Sequence, residues 1–564
     1  MCNMRRSCLP LLTIGLWLIA AGPTVAQPQI TPRGIVSAAS LAPAGLPSGA
    51  VARGSLFSIF GQRIGPATGT GAGSFPLQTT LAGVSVKVTQ GTTSVDAIPV
   101  FVVASQINAI MPSNAPLGMA AVVVTVNNIK GFAYPVLVVN SNPGIFTVNS
   151  AGAGPGVFQN YIAADDQPVN SLVNSARPGQ VITMWATGLG PVSYADNIAP
   201  SAGDLPTAVE IFVGGKLAPK LYSGRAPCCS STDQIVFQVP ADVPLGCWVP
   251  VIVRTEGKNT SNAATMAIAA DGGACSEPSN ALASQLLNSG KMGVLGLVRV
   301  NEVRTTPRTR IDATFDYSSL SFRQESRGPF AYNPLLALPP AGSCTVISGS
   351  LDRFRGPNAM FTDPVGGRYL DGGPSFSMLG PKGSRTIQIA KTNPFATSII
   401  GVSITTFKLP IKLPALLDPG NFTFNGPGGA DVGSIRAAFS LTQGLTWTNR
   451  EQITTVVRSE GLTVNWSGAP SGQTIIIMGH SADISNNVKA IFLCTAAGTA
   501  AGSFTVPPAI LGALPASQNA LTRSKGMVYA GSAPLSSPQS FTANGLDLGA
   551  VMQLHLNGKD VRFK

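Results

Sequence analysis

The sequence predicts an all-β protein in which tandem immunoglobulin-like β-sandwiches are followed by a β-rich C-terminal region. Charged residues make up only 11% of the 564-residue chain, which contains 62 glycines and 45 prolines. Low charge with many turn formers is typical of short strands joined by tight turns, and it does not suit a helical enzyme. A chain of this length is too long for one core and should divide into about three to five domains.

An internal repeat is the second observation behind this prediction. Residues 106–118 return as residues 234–246, with a constant offset of 128 residues. The shared positions are Gln106-Ile107, Met111-Pro112 and Pro116-Leu117-Gly118 in the first copy, and Gln234-Ile235, Val239-Pro240 and Pro244-Leu245-Gly246 in the second. An apolar strand follows each copy, so two copies of one β-rich unit explain the matches.

Alternating apolar and polar residues extend the repeat, because a period of two half-buries a strand. The corresponding segments are Gly54–Gly61 with Gly179–Ala186, and Gly83–Val88 with Ala208–Val213. This alignment pairs Phe60 with Trp185, and we expect both rings in the cores. Turn signals at intervals of about ten residues predict immunoglobulin-like sandwiches at residues 32–140 and 144–275.

The rest of the chain is predicted to form two β-rich subdomains, residues 285–415 and 416–564. A weaker repeat places a Leu-Asp turn at residues 370–373 and another at 417–420, each leading into an alternating strand. A strand between two turns is what a hairpin or meander requires. The predicted strands are Ser375–Leu379, Asn421–Asn425, Leu462–Trp466, Thr474–Met478, Ala490–Cys494 and Gly502–Val506. Short helices are expected at Ala281–Asn288 and near Pro507–Leu514.

The first 26 residues have the features of an export signal. Arg5 and Arg6 precede the apolar stretch Leu9–Ala21, and the small residues Thr24-Val25-Ala26 form a cleavage site before Gln27. About 13 apolar residues are too few to span a bilayer. No later segment of the sequence is long and apolar enough to cross one. We therefore predict a secreted or cell-surface protein.

The formal net charge of +12 is spread along the chain. A basic surface suits anionic polysaccharide, phospholipid or nucleic acid. The densest basic stretch, Lys291–Arg327, interleaves its cations with four acidic residues, which favours a solvated strand surface. Because export argues against nucleic acid, no nucleic-acid partner is predicted. An extracellular polysaccharide or a surface protein is the candidate partner.

Six cysteines lie outside the predicted signal: Cys228, Cys229, Cys247, Cys275, Cys344 and Cys494. An even number in an exported chain favours disulfides over metal ligation, and neither a metal nor a cofactor is predicted. Cys247 opens one strand and Cys275 follows the next, so antiparallel neighbours predict the bond Cys247–Cys275. Cys344–Cys494 would tie the C-terminal half together. Cys228 and Cys229 then either bond to each other or pair elsewhere.

Several segments resemble exported proteins that are abundant in Acidobacteria. The segments are Gly34–Ser40, Gly54–Gly61, Ala186–Pro191 and Gln234–Pro240. Those proteins carry a region of unknown function, usually called the Solibacter-type C-terminal region, which is similar in style to IPT/TIG immunoglobulin-like domains. The resemblance covers roughly residues 32–270 and here lies at the N-terminal end, which departs from the usual placement. It implies a secreted β-rich architecture, and it implies no substrate or catalytic residue.

The segment Gly479-His480-Ser481-Ala482-Asp483 is the main candidate for catalytic chemistry. Hydrolases expose a serine at a strand-to-helix turn in the motif Gly-x-Ser-x-Gly. Here Asp483 replaces the last glycine, no helical pattern follows, and His555 is the only other histidine that could act as base. We therefore expect a polar hairpin tip, and no catalytic residues are predicted.

Two further segments could suggest a calcium site and a phosphate loop, and neither is predicted. Asp165-Asp166 lacks the oxygen-rich loop that calcium needs, so a solvated turn is expected. Gly69–Gly73 lacks the Lys-Ser/Thr pair of a phosphate loop, so a flexible loop is expected.

The leading functional prediction is a non-enzymatic secreted or cell-surface scaffold or adhesion-type protein whose ligand is unknown. The alternative is a carbohydrate-binding protein that uses Trp447 and Trp466, which flank strands in the C-terminal half. Core packing is the favoured interpretation of both rings, because aromatic residues dominate sandwich interiors. A secreted hydrolase is the third possibility.

Overall fold

The structure is a computed structural model that describes residues 27–288, 290–305, 309–325, 328–354, 367–389, 396–404, 414–517 and 526–564. The prediction of an all-β protein is confirmed. Two short helices, α1 (Ser284–Asn288) and α2 (Pro508–Leu511), fall inside the two segments predicted to be helical. The predicted signal, residues 1–26, lies outside the described residues. Within those ranges, no helix has the length and apolar character needed to cross a membrane.

The first copy of the repeat forms a two-layered sandwich. Its strands are β1 (Gln29–Ser37), β2 (Val51–Ala52), β3 (Leu56–Gln62), β4 (Thr70–Gly71), β5 (Thr80–Leu81), β6 (Val84–Gln90), β7 (Thr93–Val103), β8 (Gln106–Ile110), β9 (Gly118–Val126), β10 (Ile129–Lys130) and β11 (Tyr134–Val139). The strand order is β1-β3-β8-β7-β6-β9-β11-β2. Strand β7 belongs to both layers, because its first half pairs with β6 and its second half, which contains Pro99, pairs with β8.

The second copy forms a sandwich of two separate sheets. Its strands are β12 (Gly144–Ile145), β13 (Gly154–Pro155), β14 (Phe158–Asn160), β15 (Val181–Thr187), β16 (Val209–Val213), β17 (Lys216–Ala218), β18 (Lys220–Arg225), β19 (Asp233–Gln238), β20 (Gly246–Thr255), β21 (Asn259–Thr260) and β22 (Ala264–Ile268). The orders are β12-β15-β19-β18 and β13-β22-β20-β16-β17. Strands β17 and β18 take the place of β7 and are divided at Pro219, because proline has no N–H for a ladder.

Equivalent strands of the two copies pair in the same way. Strand β3 pairs with β8 as β15 pairs with β19, and β6 pairs with β9 as β16 pairs with β20. The parallel pairing of β2 with β11 recurs between β13 and β22. The repeat in the sequence therefore corresponds to a repeat in strand topology.

Equivalent positions also build the two cores, with one correction. Phe57 on β3 and Ile182 on β15 are fully buried. Phe60 and Trp185 are only half-buried, so the prediction that both rings lie in the cores is wrong. Successive side chains of a strand point to opposite faces, and Phe60 lies three positions from Phe57. Both rings therefore point away from their cores.

The C-terminal region is built on one long sheet. Its strands are β23 (Lys291–Thr305), β24 (Arg310–Gln324), β25 (Cys344–Ser350), β26 (Arg368–Tyr369), β27 (Ser375–Gly380), β28 (Gly383–Gln388), β29 (Ala396–Ile404), β30 (Gly420–Gly426), β31 (Ile435–Leu441), β32 (Thr446–Trp447), β33 (Thr455–Val456), β34 (Leu462–Ser467), β35 (Thr474–Asp483), β36 (Val488–Ala496), β37 (Gly502–Val506), β38 (Gly526–Ala533), β39 (Gln539–Phe541) and β40 (Leu548–Phe563).

The long sheet has the order β25-β36-β35-β38-β40-β23-β24-β26. It takes strands from both sides of residue 416, so the predicted division into 285–415 and 416–564 does not separate two sheets. Strand β40 connects the two parts, because it pairs in parallel with β23 and antiparallel with β38.

Two smaller sheets cover this long sheet and enclose two cores. The sheet β28-β27-β30-β31 packs over one core, in which Phe322 of β24 lies at 5.6 Å from Phe376 of β27 between ring centres. The sheet β32-β34-β37 packs over the other core, which includes Phe492 of β36. Strands β27 and β30 each begin a hairpin and pair with each other, which confirms the hairpins predicted from the weaker repeat.

Candidate functional site

A buried ion pair lies at the joint between the two sandwiches. Arg225 ends β18 and Asp233 begins β19, and their bonded side chains are 3% and 0% exposed. The Nη2 atom of Arg225 also donates to the carbonyl oxygens of Gly54, at 2.7 Å, and Gly190, at 2.6 Å. Burial raises the pKa of Asp233, although Arg225 and the backbone N–H of Leu189 both favour its charged form. Since Gly54 belongs to the first sandwich, this pair joins the two units.

Further hydrogen bonds between the two sandwiches surround this buried ion pair. Ser113 of the first sandwich donates to Asp196 of the second through its backbone N–H and its hydroxyl, both at 2.7 Å. The backbone N–H of Leu56 donates to Oγ1 of Thr187 at 2.8 Å. Independent motion of domains is expected when the interface between them is small and wet. Here buried, hydrogen-bonded groups join one sandwich to the other.

The six cysteines of the described residues form the disulfides Cys228–Cys229, Cys247–Cys275 and Cys344–Cys494. Two of these are the bonds predicted from the sequence, and the third joins the adjacent cysteines to each other. Cys344 and Cys494 lie directly opposite on β25 and β36. Cys228 and Cys229 are exposed in the turn between β18 and β19.

An apolar contact around Cys247–Cys275 joins the second sandwich to the C-terminal region. Trp248 is 1% exposed, and its indole N–H donates to the carbonyl oxygen of Ala331 at 3.1 Å. Glu277 accepts a hydrogen bond from the backbone N–H of Cys247. Burial raises the pKa of Glu277 to about 7, so this carboxyl changes its charge near neutral pH.

The segment Gly479–Asp483 is not a hairpin tip, contrary to the prediction. It is the second half of the interior strand β35, which pairs with β36 and β38. Ser481 is fully buried. Burial lowers the pKa of His480 to about 3, and the charges of Lys489 and Arg304 contribute to the same effect. A serine inside a sheet is not presented to a substrate in the way that a strand-to-helix turn presents it.

His555 lies too far from Ser481 to act as its base. Through β38, the register places His480 level with Asp560 of β40. Ser481 is the next residue of β35, so it lies two strands away from His555 and is displaced from it by six residues along the strands. At about 3.3 Å per residue, that separation is on the order of 20 Å. A nucleophile and its base need to be within about 3 Å. The structure therefore brings no Ser-His pair together from these residues.

The remaining candidate segments, Asp165-Asp166 and Gly69–Gly73, form a turn and part of a strand. Asp165 and Asp166 are exposed in a turn that the backbone N–H of Asp166 closes on Ala163 at 3.2 Å. Within the described ranges, no group of three or more His, Cys, Asp or Glu residues could hold a metal ion. Part of Gly69–Gly73 is strand β4, which pairs with β7, so the prediction of a flexible loop needs correction there.

Trp447 and Trp466 lie inside the C-terminal core. Each ring is 4% exposed, and the two residues face each other across β32 and β34. Their indole N–H groups donate to Oδ1 of Asn449, at 2.8 Å, and to the carbonyl oxygen of Thr499, at 3.0 Å. Neither ring offers a face to a sugar, so these residues do not form the predicted binding site.

A shallow groove lies on the outer face of the second sandwich instead. Its volume is about 440 Å³, and it is lined in part by Trp185, Gln159, Thr183, Gln234 and Asp165. Trp185 stands directly opposite Gln234 on β19. Its indole N–H donates to Oε1 of Gln159 at 2.7 Å, and Nε2 of Gln159 donates to the carbonyl oxygen of Gln167 at 3.1 Å. The ring is therefore held in one orientation beside polar side chains.

The equivalent ring of the first sandwich has different surroundings. Phe60 lines a cleft of about 650 Å³ between the sandwiches and the C-terminal region. A neighbouring cleft of about 930 Å³ shares Arg33, whose φ of 60° places it in the left-handed region. Phe60 thus shares its cleft with residues of the C-terminal region, whereas Pro227 and Asp165, which line the Trp185 groove, are exposed.

No protein-family model matches this sequence, and no curated protein matches it. Among solved structures, the chain is similar to domains 5–6 of the S-layer protein SbsC at 13% identity and a TM-score of 0.17, over 43% of this chain and 98% of that one. It is similar to titin domains A168–A170 at 8% identity and a TM-score of 0.13, over 71% and 93% of the two chains. The native E. coli alpha-2-macroglobulin gives 9% identity and a TM-score of 0.13, over 89% of this chain and 28% of that one. TM-scores this low support no functional comparison, and the fold class rests on the strand pairing.

Proposed function

We propose that this chain is a non-enzymatic, exported scaffold that holds its binding surfaces at fixed positions on the cell surface or outside the cell. The observation that carries the proposal is the joint between the two sandwiches. There Arg225 and Asp233, both buried, bond to each other, and Arg225 also bonds to Gly54 of the neighbouring unit. A flexible linker would let duplicated units move independently, whereas this joint fixes the distance and angle between them.

The surroundings of the candidate nucleophile support the non-enzymatic part of the proposal. Ser481 is buried in an interior strand, and His555 lies on the order of 20 Å away along the sheet. Of the two histidines, His480 stays neutral at physiological pH, because burial lowers its pKa to about 3. The residues that resemble a hydrolase motif therefore belong to the buried core of this sheet, where their role is structural.

The export part of the proposal rests on residues 1–26 and on the sequence resemblance to exported acidobacterial proteins. It is tested by producing the full chain in a bacterial host, separating cell fractions and sequencing the new N-terminus. We expect a chain that begins at Gln27, recovered outside the cytoplasm. A variant that lacks residues 1–26 is the control and should stay in the cytoplasm. An intact N-terminus in the cytoplasmic fraction would contradict the export proposal.

The scaffold part is tested in solution by small-angle X-ray scattering. One rigid arrangement of the two sandwiches should account for the profile of the wild-type chain, and the profile should not change with ionic strength, because the joint is buried. Arg225→Ala should broaden the distance distribution, whereas Lys216→Ala, which removes an exposed ion pair of the same sandwich, should not. A broad distribution already present in the wild type would overturn the rigid scaffold.

An esterase and glycosidase screen tests catalysis separately, and activity lost in Ser481→Ala would overturn the non-enzymatic assignment.

A further inference from the structure

Trp185 is placed differently from the other tryptophans that the structure describes. Trp248, Trp447 and Trp466 are 1–4% exposed, whereas Trp185 is only half-buried and faces the groove on the second sandwich. Its backbone N–H donates to Val157 and its carbonyl oxygen accepts from Phe146, both at 3.1 Å. With the indole N–H bonded to Gln159, strand and ring are both fixed before any ligand arrives. A fixed aromatic face loses little conformational entropy on binding.

Polar groups without protein partners surround this ring. Within the described part of the chain, the side chains of Thr183, Gln234 and Asp165 form no hydrogen bond, and all three line the groove. Thr183 is only 4% exposed, yet it lies on the same face of β15 as Trp185. These groups are open to a ligand, whose hydroxyls can replace the water that they would otherwise bind. The groove therefore offers a hydroxyl, an amide and a carboxylate around one aromatic ring.

The charge of the groove limits the kind of ligand. None of its eight lining residues is cationic, and Asp165 is the only charged one. A polyanion would find no positive partner here and would be repelled by the carboxylate. A wholly apolar ligand would leave the amide and hydroxyl groups unpaired. A neutral sugar fits both conditions, because its C–H face can pack on an indole while its hydroxyls donate to a carboxylate and exchange hydrogen bonds with amides.

We propose that the groove beside Trp185 binds a neutral glycan chain, with one sugar ring stacked on the indole and its hydroxyls bonded to Gln234, Thr183 and Asp165. This goes beyond the scaffold role and rests on separate observations. The first sandwich differs at the equivalent ring, because Phe60 lines a cleft that it shares with the C-terminal region. The duplicated unit would thus present this groove on its second copy, whereas the same position of the first copy faces the cleft beside the C-terminal region.

The test measures binding of neutral polysaccharides to the full chain by isothermal titration calorimetry. The probes are a β-1,4-gluco-oligosaccharide, xylan and mannan, with alginate as the anionic comparison. At least one neutral probe should bind, and Trp185→Ala should weaken that binding about tenfold or more. Tryptophan emission should change on binding, and this change should be absent in Trp185→Phe, which keeps a ring and most of the affinity.

Matched variants keep the proposal falsifiable. Phe60→Ala changes the equivalent position of the first sandwich and should leave the affinity unaltered. Gln234→Ala keeps the indole in place and should weaken binding about threefold, so it provides a test even if Trp185→Ala does not fold. Binding by none of the neutral probes, binding that survives both Trp185→Ala and Gln234→Ala, or binding of alginate alone would overturn the proposal. None of these results depends on the scattering profile that tests the scaffold.

Discussion

The guanidinium of Arg225 donates a hydrogen bond to the carbonyl oxygen of Gly54 over 2.7 Å, and this bond crosses from the second sandwich to the first. The charge of Arg225 is balanced by Asp233 in the same buried site. Breaking such a pair is strongly destabilising, because it leaves an uncompensated charge away from water. The joint between the copies is therefore coupled to the stability of the second sandwich itself.

Gly54→Ala should disturb this joint, and the repeat supplies a matched control. Gly54 has a φ of 64°, and a Cβ atom there would meet Nη2 of Arg225. Its counterpart Gly179 also has a positive φ, of 81°, but a Cβ atom there would meet nothing within 4 Å. We expect Gly179→Ala to lower the free energy of unfolding by about 1–2 kcal/mol and Gly54→Ala by at least about 3 kcal/mol. Equal losses in denaturant titrations would show that the Arg225 contact contributes nothing.

Asp233→Asn tests the buried charge directly. The substitution leaves Arg225 buried without its counter-ion and should cost about 3–5 kcal/mol of unfolding free energy. Asp242→Asn is the comparison, because Asp242 pairs with Lys216 at the surface of the same sandwich, where its side chain is 70% exposed. That exposed pair should contribute almost nothing. Calorimetric unfolding of the two variants measures both effects, and similar behaviour of the two would rule out a special role for the buried pair.

Local patterns in the sequence predict the strands well but not every direction that a side chain takes. The alternation that identifies Val181–Thr187 as a strand also places Trp185 and Ile182 on opposite faces. The alignment with Phe60 predicts a core position for this ring, although its place in the alternating pattern already indicates the outer face. The outward direction of Trp185 could therefore have been predicted from the sequence by following the alternation, but the groove could not. The partners of Trp185 come from β14 and β19, which only the fold brings together.

Long-range pairing is what the sequence does not reveal in the C-terminal half. Met292 of β23 pairs with Leu548 of β40, more than 250 positions away, and no local period specifies that contact. The predicted boundary at residue 416 lies beside the Leu-Asp turn at residues 417–420, and a turn does not reveal which distant strands pair. Likewise, the sequence predicts a strand over Thr474–Met478 that stops before Gly479. The strand continues because its pairing with β36 and β38 runs through Gly479. A Cβ atom there would lie 2.6 Å from the ring of Phe492, so a glycine fits where a larger residue would not.

Glu277 should make the stability of the protein depend on pH. Burial raises its pKa from 4.5 to about 7 in the folded chain, so folding favours the protonated form. The contribution of Glu277 to the free energy of unfolding is fully present below pH 4.5 and is lost as the pH rises through 7. It amounts to on the order of 3 kcal/mol in total. Glu277→Gln should remove that slope and unfold at a higher temperature than the wild type at pH 8.

The control for this variant is Glu460→Gln, which changes an exposed carboxyl in the C-terminal region and should keep the wild-type slope. Thermal unfolding between pH 4 and pH 8 compares the three chains. A Glu277→Gln variant that follows the wild-type pH profile would mean that this carboxyl titrates as an exposed one does.

The disulfides should differ sharply in their contributions to the free energy of unfolding, because they close chain segments of very different length. Cys344–Cys494 closes 150 positions and Cys247–Cys275 closes 28, whereas Cys228–Cys229 joins neighbours. In the chain-entropy model, losing the first costs about 5 kcal/mol and losing the second about 3–4 kcal/mol. The double substitution Cys228→Ala with Cys229→Ala removes no such constraint and should leave unfolding by denaturant nearly unchanged. A loss as large as that of the Cys344→Ala, Cys494→Ala chain would mean that the exposed turn beside Pro227 stabilises the second sandwich by direct contacts, not by closing the chain.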